Sequence, residues 1–193
     1  MEIQAHPLLL RAVPAAQQLI REDHFSLENL CHALDCSLRD LATAVGSVDE
    51  LMAHVNDHFM AGYLELAKKV EADGPQDAEA VVRLNQCWLD YALDHPLQMK
   101  VLLQYRWSPG YERPDWYMAR VAACFVPVEQ RLKRLAPKAH PDAIKAAARG
   151  MYATCSGLYF LALNERATPA GIASRQKVLE LSVGWTIKGL SAA

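Results

Sequence analysis

Apolar residues recur every three or four positions along almost the whole chain, which is the spacing of one face of an α-helix. No run alternates apolar and polar residues with the period of two that is typical of a half-buried strand. The pattern therefore predicts an all-α chain, with helical segments over about residues 7–22, 26–34, 37–45, 47–72, 76–94, 96–107, 115–136, 141–165 and 169–190.

Capping residues divide the N-terminal part into short helices. Ser26, Ser37 and Ser47 each precede a run with helical spacing, and serine is a preferred N-cap. Glu50 follows Ser47 by three positions, which predicts a capping box at the start of the long fourth helix. Pro14 lies inside the first predicted segment, so we expect either a kink there or a late helix start.

Charge is distributed unevenly between the two parts of the chain. Residues 1–60 contain three basic and nine acidic residues, whereas residues 61–193 contain 17 basic and 13 acidic residues. Nucleic-acid affinity depends on cations that neutralise phosphates, so an acidic N-terminal part is unusual for a DNA-binding segment.

The cysteines, the N-terminus and the longest uncharged run indicate in which compartment the protein is expected. Its five cysteines are scattered, and none form a Cys-x-x-Cys pair, so we expect neither a disulfide framework nor a zinc ribbon but a reducing cytoplasm. The N-terminus lacks the basic residues of a signal peptide. The longest uncharged run, residues 150–164, is shorter than the roughly 18 residues of a membrane span.

Catalytic and metal-binding motifs are missing from the sequence. It has no G-x-S-x-G elbow, phosphate-binding loop or dinucleotide fingerprint, so we expect no enzyme activity and no cofactor. His54 and His58 have a spacing that can bind zinc, with His24 or His32 as a third ligand. Without a cysteine or glutamate at ligand spacing, the sequence favours ordinary, partly exposed histidines and no metal.

Residues Phe25 to Val55, FSLENLCHALDCSLRDLATAVGSVDELMAHV, predict two short helices joined by a tight turn and followed by a long helix. This stretch resembles the helix-turn-helix head of the TetR family of one-component transcriptional regulators. Ser26 matches the residue that opens the family's second helix, and Ser37 matches the residue that opens its recognition helix. Gly46 and Ser47 match the Gly and Ser that precede its long fourth helix.

The resemblance implies a TetR-like fold of about nine helices. It implies a helix-turn-helix head over residues 1–52 and a helical ligand-binding and dimerisation domain over residues 53–193. The function implied is that of a homodimeric transcriptional repressor that responds to a small apolar ligand, with no membrane partner.

The resemblance also implies which residues face DNA: Ser26, Ser37, Arg39, Thr43 and Ser47. Arg39 has the chemistry to read a guanine edge, and Ser37 and Thr43 can contact phosphate. The chain departs from the family at several polar positions of the head, namely Asp35 for Gly, Asp40 for Thr, Ala42 for Tyr, Ala44 for His and Val48 for a phosphate-binding Lys. Two hypotheses therefore stay open: a DNA-binding regulator, or a small-molecule-binding or regulator-interacting protein that has lost DNA binding.

Aromatic residues concentrate in the middle of the chain and predict the wall of an apolar ligand pocket between helices. The predicted pocket residues are Trp88, Tyr91, Met99, Tyr105, Trp107, Trp116, Phe125 and Tyr152. The alternative is that these residues pack together as an aromatic core.

The last two predicted helices contain many small and apolar residues. The resemblance implies that these helices form a four-helix interface across a two-fold axis, through Gly150, Ala153, Gly157, Leu161, Val178, Leu181 and Trp185. The alternative is packing within the chain, which favours the same pattern.

Overall fold

The computed structural model of the chain describes residues 6–72, 78–164 and 168–192. Within these residues the chain forms nine α-helices and no strand, which confirms the predicted all-α fold. The helices are α1 (Pro7–Arg21), α2 (Leu27–Leu34), α3 (Leu38–Val45), α4 (Val48–Ala72), α5 (Ala78–Asp94), α6 (Pro96–Gln104), α7 (Asp115–Leu135), α8 (Pro141–Asn164) and α9 (Pro169–Ala192).

Most helix ends lie within two residues of their predicted positions. α6 instead ends at Gln104, three residues before its predicted end at residue 107, because Tyr105 has an extended backbone (φ −61°, ψ 125°). α1 begins at Pro7, so Pro14 lies inside this helix and the late start is wrong. The predicted start at residue 76 and the predicted end at residue 165 lie outside the described residues.

The chain folds into two compact units. The first contains α1 to α3, the beginning of α4 up to Ala61, and His95–Arg120. The second contains the rest of α4, α5 and the chain from Val121 onwards, with α8 and α9. This division differs from the predicted boundary after residue 52, because residues 95–120 return to the first unit, where α6 packs against α1.

The core of the first unit is built around α1, which packs against both α2 and α3. Ala12 and Ala16 are fully buried, and their small side chains let the two short helices approach α1 closely. The buried core of this unit contains Ala12, Ala16, Ile20, Leu30, Leu34, Leu41, Val45, Leu51, Met52 and Val55. This core holds α3 in place as the second helix of the helix-turn-helix.

The core of the second unit lies where α5, α8 and α9 pack against one another. Its buried apolar residues include Val81, Leu84, Leu89, Met151, Leu158, Tyr159, Leu179 and Val183. Buried Asn85 donates a hydrogen bond from Nδ2 to the Val81 carbonyl at 2.8 Å, and the Cys155 Sγ lies 3.5 Å from its Oδ1. The amide of Asn85 is therefore satisfied inside this core.

Candidate functional site

The turn that joins α2 to α3 is closed by two backbone hydrogen bonds. The Asp35 N–H donates to the His32 carbonyl at 3.2 Å. The Cys36 N–H donates to the Cys31 carbonyl at 3.1 Å. Asp35 itself lies in the left-handed region (φ 51°, ψ 53°), and these features together are a Schellman motif. Because α3 begins at Leu38, α2 and α3 form the predicted helix-turn-helix.

Ser37 begins α3 through a capping box with Asp40. The Asp40 N–H donates to the Ser37 Oγ at 3.1 Å, and the Asp40 carboxylate accepts from the Ser37 hydroxyl at 2.6 Å and from its N–H at 3.3 Å. The hydrogen bonds from Ser37 hold the pKa of Asp40 below its ordinary value. The sequence predicted the serine cap and missed the carboxylate, which the spacing of three residues would have indicated.

All five residues predicted to contact DNA are exposed, but their hydrogen-bond donors differ in availability. Ser26 and Ser47 accept hydrogen bonds from backbone N–H groups three residues later, so their hydroxyl protons remain available to a phosphate. Ser37 gives its proton to the carboxylate of its capping box, and Thr43 gives its proton to the Arg39 carbonyl at 2.8 Å. Within the described residues the Arg39 side chain makes no hydrogen bond or ion pair.

The outer face of α3 is apolar beside Arg39. The Leu38 side chain is 58% exposed and the Val48 side chain 38% exposed. They border a groove of about 270 Å³ lined by Leu27, Leu38, Leu41, Ala42, Val45, Gly46, Ser47 and Val48. The groove contains no ionisable side chain, so Arg39 is the cation that this helix offers to a phosphate or a guanine.

Acidic residues at the start of α4 accept hydrogen bonds from the segment that follows α6, residues 105–114. Buried Asp49 accepts hydrogen bonds from the Tyr105 hydroxyl at 2.8 Å and from the Ser108 N–H at 3.2 Å. The hydrogen bonds from Ser108 and Tyr105 hold the pKa of Asp49 below its ordinary value. Burial and the bond to Asp49 raise the pKa of Tyr105 to about 12.

Two further carboxylates of α4 are paired with Tyr111 in that segment and with Arg120 in α7. Glu50 accepts a hydrogen bond from the Tyr111 hydroxyl at 2.8 Å, and the Arg120 Nε lies 2.6 Å from the Asp57 Oδ1. Because the Glu50 carboxylate binds Tyr111, the capping box predicted for Ser47 has only its serine half, in which the Ser47 Oγ accepts the Glu50 N–H at 3.0 Å.

The predicted pocket residues are divided between the two units. Those in the first unit are Met99, Tyr105, Trp107 and Trp116. Met99 is fully buried in the core. The Trp107 ring stacks on Tyr111 with centroids 5.5 Å apart, and the Trp116 ring stacks on His54 at 4.5 Å. These aromatic contacts lie where α4 packs against residues 105–116, and the Trp116 side chain remains 38% exposed there.

The other predicted pocket residues lie in the second unit: Trp88, Tyr91, Phe125 and Tyr152. The Trp88 ring centroid lies 4.8 Å from Tyr63 and 5.6 Å from Tyr152, whose own ring is 5.6 Å from Phe125. Tyr63 is a buried member that the sequence analysis missed, and burial raises its pKa. Trp88 is buried as well, whereas Phe125 and Tyr152 are half-buried.

All seven residues predicted for the dimer interface have exposed side chains or exposed glycine positions. On α8, Leu161 is 55% exposed, and on α9, Trp185 is 67% exposed. Further large apolar residues exposed on these two helices are Phe160, Leu163 and Ile172. Packing within the chain therefore does not bury this face in the second unit.

The described residues contain neither a candidate metal site nor a membrane-spanning helix. In the described part of the chain, no group of three His, Cys, Asp or Glu side chains is placed to hold a metal ion. His54 packs on Trp116 and lies 3.8 Å from Glu50, while His58 is exposed. None of the described helices combines the length and the hydropathy that a membrane span requires.

Several solved structures share this fold. A protein of unknown function from Rhodococcus sp. RHA1 matches with a TM-score of 0.72 and 14% identity, over 99% of both chains. The TetR family transcriptional regulator PfmR from Thermus thermophilus matches with a TM-score of 0.62 and 17% identity, over 93% of this chain and 98% of that one.

A TetR variant from Acinetobacter baumannii AYE, in complex with minocycline, matches with a TM-score of 0.67 and 13% identity, over 93% of this chain and 96% of that one. No protein-family model and no curated protein matches the chain. The structural matches span nearly the whole length of both chains. The protein therefore has the fold of the TetR-family transcriptional regulators.

Proposed function

We propose that the chain is a TetR-like, ligand-responsive transcriptional regulator that acts as a homodimer and represses its target genes. The observation that carries this proposal is the exposed second helix of the helix-turn-helix, α3, which presents Arg39 to solvent. The likeness of fold to a TetR family transcriptional regulator supports the same function.

The acidic composition of the head opposes DNA binding less than its residue count indicates. The charge of Asp57 is compensated by its ion pair with Arg120, whereas Asp49 and Glu50 keep their charge because their hydrogen-bond donors are neutral. In the head, the N-termini of α2 and α4 carry the partial positive charge of a helix dipole, beside the available hydroxyls of Ser26 and Ser47. Together with Arg39, these groups can bind phosphates and one guanine.

Fluorescence anisotropy with DNA from upstream of the protein's own gene tests this proposal. We expect sequence-specific binding whose affinity falls steeply with salt, because phosphate contacts release counterions. Replacing Arg39 with Ala should weaken specific binding by about 1–3 kcal/mol, whereas the matched change Arg21→Ala, at the end of α1, should have little effect. Absence of binding at low salt would exclude DNA binding.

A gain-of-affinity variant checks whether the head docks in the expected orientation. Val48 is exposed at the start of α4, where the family's lysine binds a phosphate. Val48→Lys should strengthen binding and steepen the salt dependence by about one phosphate contact. Val48→Gln is the matched neutral control and should leave the salt dependence unchanged. Equal affinities of the two variants would mean that this position does not face phosphate.

We place the small apolar ligand at the aromatic cluster of the second unit, which is formed by Tyr63, Trp88, Phe125 and Tyr152. Phe125 and Tyr152 are only half-buried there, and the Arg149 guanidinium lies over the Phe125 ring at 5.3 Å, so an apolar molecule would bind at the part of the cluster that stays exposed. The TetR variant of the same fold binds minocycline, which supports a ligand function for this one. Ligand binding would then shift the population between dimer geometries that fit and do not fit the DNA.

Displacement of an apolar fluorescent dye by candidate ligands measures this binding. Tyr152→Ala should weaken dye binding at least about tenfold if the cluster forms the site. Trp116→Ala removes an exposed aromatic residue of the first unit and is the matched control. If only the Trp116 variant lost dye binding, the ligand would belong to the first unit instead.

One observation favours a second candidate function, in which the head binds a protein and not DNA. The groove beside α3 is lined by apolar side chains, and both Leu38 and Val48 are exposed on its border. Exposed apolar surface of this kind is typical of protein interfaces. This function would be favoured if neither the wild type nor the Val48→Lys variant bound DNA at low salt.

A further inference from the structure

Two of the five cysteines lie at the two ends of the turn in the head. Cys31 is in the last turn of α2, and Cys36 directly precedes the Ser37 cap of α3. Two residues of a Schellman motif commonly have their side chains in contact. One donates the N–H that closes the turn, and the other provides the carbonyl that accepts it. The Cys36 N–H donates to the Cys31 carbonyl at 3.1 Å, so the two cysteines occupy this pair of positions.

Both side chains of the pair are half-buried against the edge of the first unit's core. The remaining cysteines lie in the second unit, at positions 87, 124 and 155. The backbone bond alone brings the two α-carbons of the pair near the separation of about 5–6 Å that a disulfide requires.

We propose that Cys31 and Cys36 are a redox-active dithiol that closes to an intrachain disulfide in the folded head when a low-molecular-weight disulfide such as oxidised glutathione is present. In a reducing compartment, disulfides that form are usually transient and sensory, which is the role this pair would have. The proposal does not depend on whether the head binds DNA.

The reaction takes place in two exchange steps. The Cys36 thiolate attacks one sulfur of oxidised glutathione, forms a mixed disulfide and releases one glutathione thiolate. The Cys31 thiolate then attacks the Cys36 sulfur, forms the Cys31–Cys36 bond and releases the second glutathione thiolate. The two cysteine protons pass through solvent to the released thiolates, so the protein pair is oxidised by two electrons and glutathione is reduced by two.

The surroundings of the pair assign the order of attack. Burial, the neighbouring Cys36 and the Asp40 carboxylate raise the pKa of Cys31. Cys31 therefore holds little thiolate at neutral pH, so we assign it the resolving step. For the same reason we expect closure to be slow, and the glutathione redox buffer sets the extent of closure at equilibrium.

Mass spectrometry after incubation in glutathione buffers tests the proposal on the full chain. Trypsin cleaves after Arg21 and Arg39, so both cysteines fall in a single peptide, residues 22–39. We expect this peptide to become two hydrogens lighter, and two of the five thiols to be lost, while far-ultraviolet circular dichroism stays unchanged. Reduced glutathione should restore both thiols.

Single-cysteine variants separate the two roles. Cys31→Ser should accumulate glutathione on Cys36, because the resolving thiol is missing, and Cys36→Ser should react more slowly at Cys31. Cys87→Ser, in the second unit, is the matched control and should form the disulfide like the wild type. Three results would overturn the proposal: an unmodified 22–39 peptide in oxidised buffer, a stable glutathione adduct in the wild type, or closure that occurs only in denaturant.

Discussion

The turn between α2 and α3 depends on the backbone of Asp35, which takes a conformation that usually favours glycine. Its φ of 51° puts the β-carbon close to the following carbonyl, at a cost of roughly 1–2 kcal/mol for most residues and less for Asp. Its carboxylate also lies at the C-terminus of α2, where the helix dipole disfavours negative charge. The sequence identified this position as the family's glycine, and the structure gives the physical reason for that preference.

Replacing Asp35 with Gly should therefore stabilise the protein by about 0.5–1 kcal/mol. Relief of backbone strain and of the dipole repulsion exceeds the extra entropy that glycine has in the unfolded chain. Urea denaturation followed by circular dichroism measures the effect as a higher midpoint with an unchanged slope. Asp35→Ala removes the charge but keeps the strain, so it should be less stable than Asp35→Gly. A destabilised glycine variant would contradict this account.

At the scale of elements, the first half of α4 is joined to the segment after α6 by side chains far apart in sequence. The hydrogen bonds from Tyr105 to Asp49 and from Tyr111 to Glu50 connect residues 56 and 61 positions apart. The sequence located α4 from its caps and spacing, because those signals are local. It could not reveal these partners, since no short-range pattern specifies which hydroxyl a carboxylate will meet.

Asp49→Asn tests how strongly this connection stabilises the fold. The folded pKa of Asp49 is lowered, so its stabilising effect is present above the unfolded value of about 3.9 and is lost as the pH falls towards the folded value. At pH 7 the variant should lose about 1.5–3 kcal/mol of unfolding free energy, as expected for hydrogen bonds to a charged group.

The difference in unfolding free energy between the wild type and Asp49→Asn should become smaller as the pH falls below about 4, where the carboxyl of the unfolded chain becomes protonated. Urea midpoints measured from pH 7 to pH 3 follow this change. The matched control, Asp90→Asn, alters an exposed carboxylate and should change the free energy of unfolding by no more than about 0.5 kcal/mol. A constant difference across this pH range would mean that the Asp49 charge is not what stabilises the connection.

At the scale of the whole molecule, the first unit contains more basic residues than residues 1–60 do alone. Residues 95–120, which belong to the first unit, add the basic residues Lys100, Arg106, Arg113 and Arg120 and only two acidic ones. A boundary drawn from the helix-turn-helix motif alone omits these residues, because their membership in the first unit arises from tertiary packing. The contrast between an acidic head and a basic remainder is therefore weaker than the sequence indicates.

The last helix has apolar residues on two faces, which explains why its sequence was ambiguous. Leu179 and Val183 are buried in the second unit, whereas Val178, Leu181 and Trp185 are exposed. A single apolar face is sufficient for packing within the chain, so the second face indicates a second partner. The sequence indicated the face that contains Val178, Leu181 and Trp185, but could not show whether the chain itself covers it.

Trp185→Glu should separate the proposed homodimer into monomers. A large aromatic side chain that is 67% exposed in the monomer is the kind of residue that dominates interface energetics, and a buried carboxylate would oppose association. We expect the dimer dissociation constant to rise at least about 100-fold, measured by sedimentation equilibrium. Leu10→Glu, at an exposed leucine of α1, is the matched control and should leave association unchanged. A wild type that sediments as a monomer, or a Trp185→Glu variant that remains a dimer, would show that this face does not join two copies of the chain.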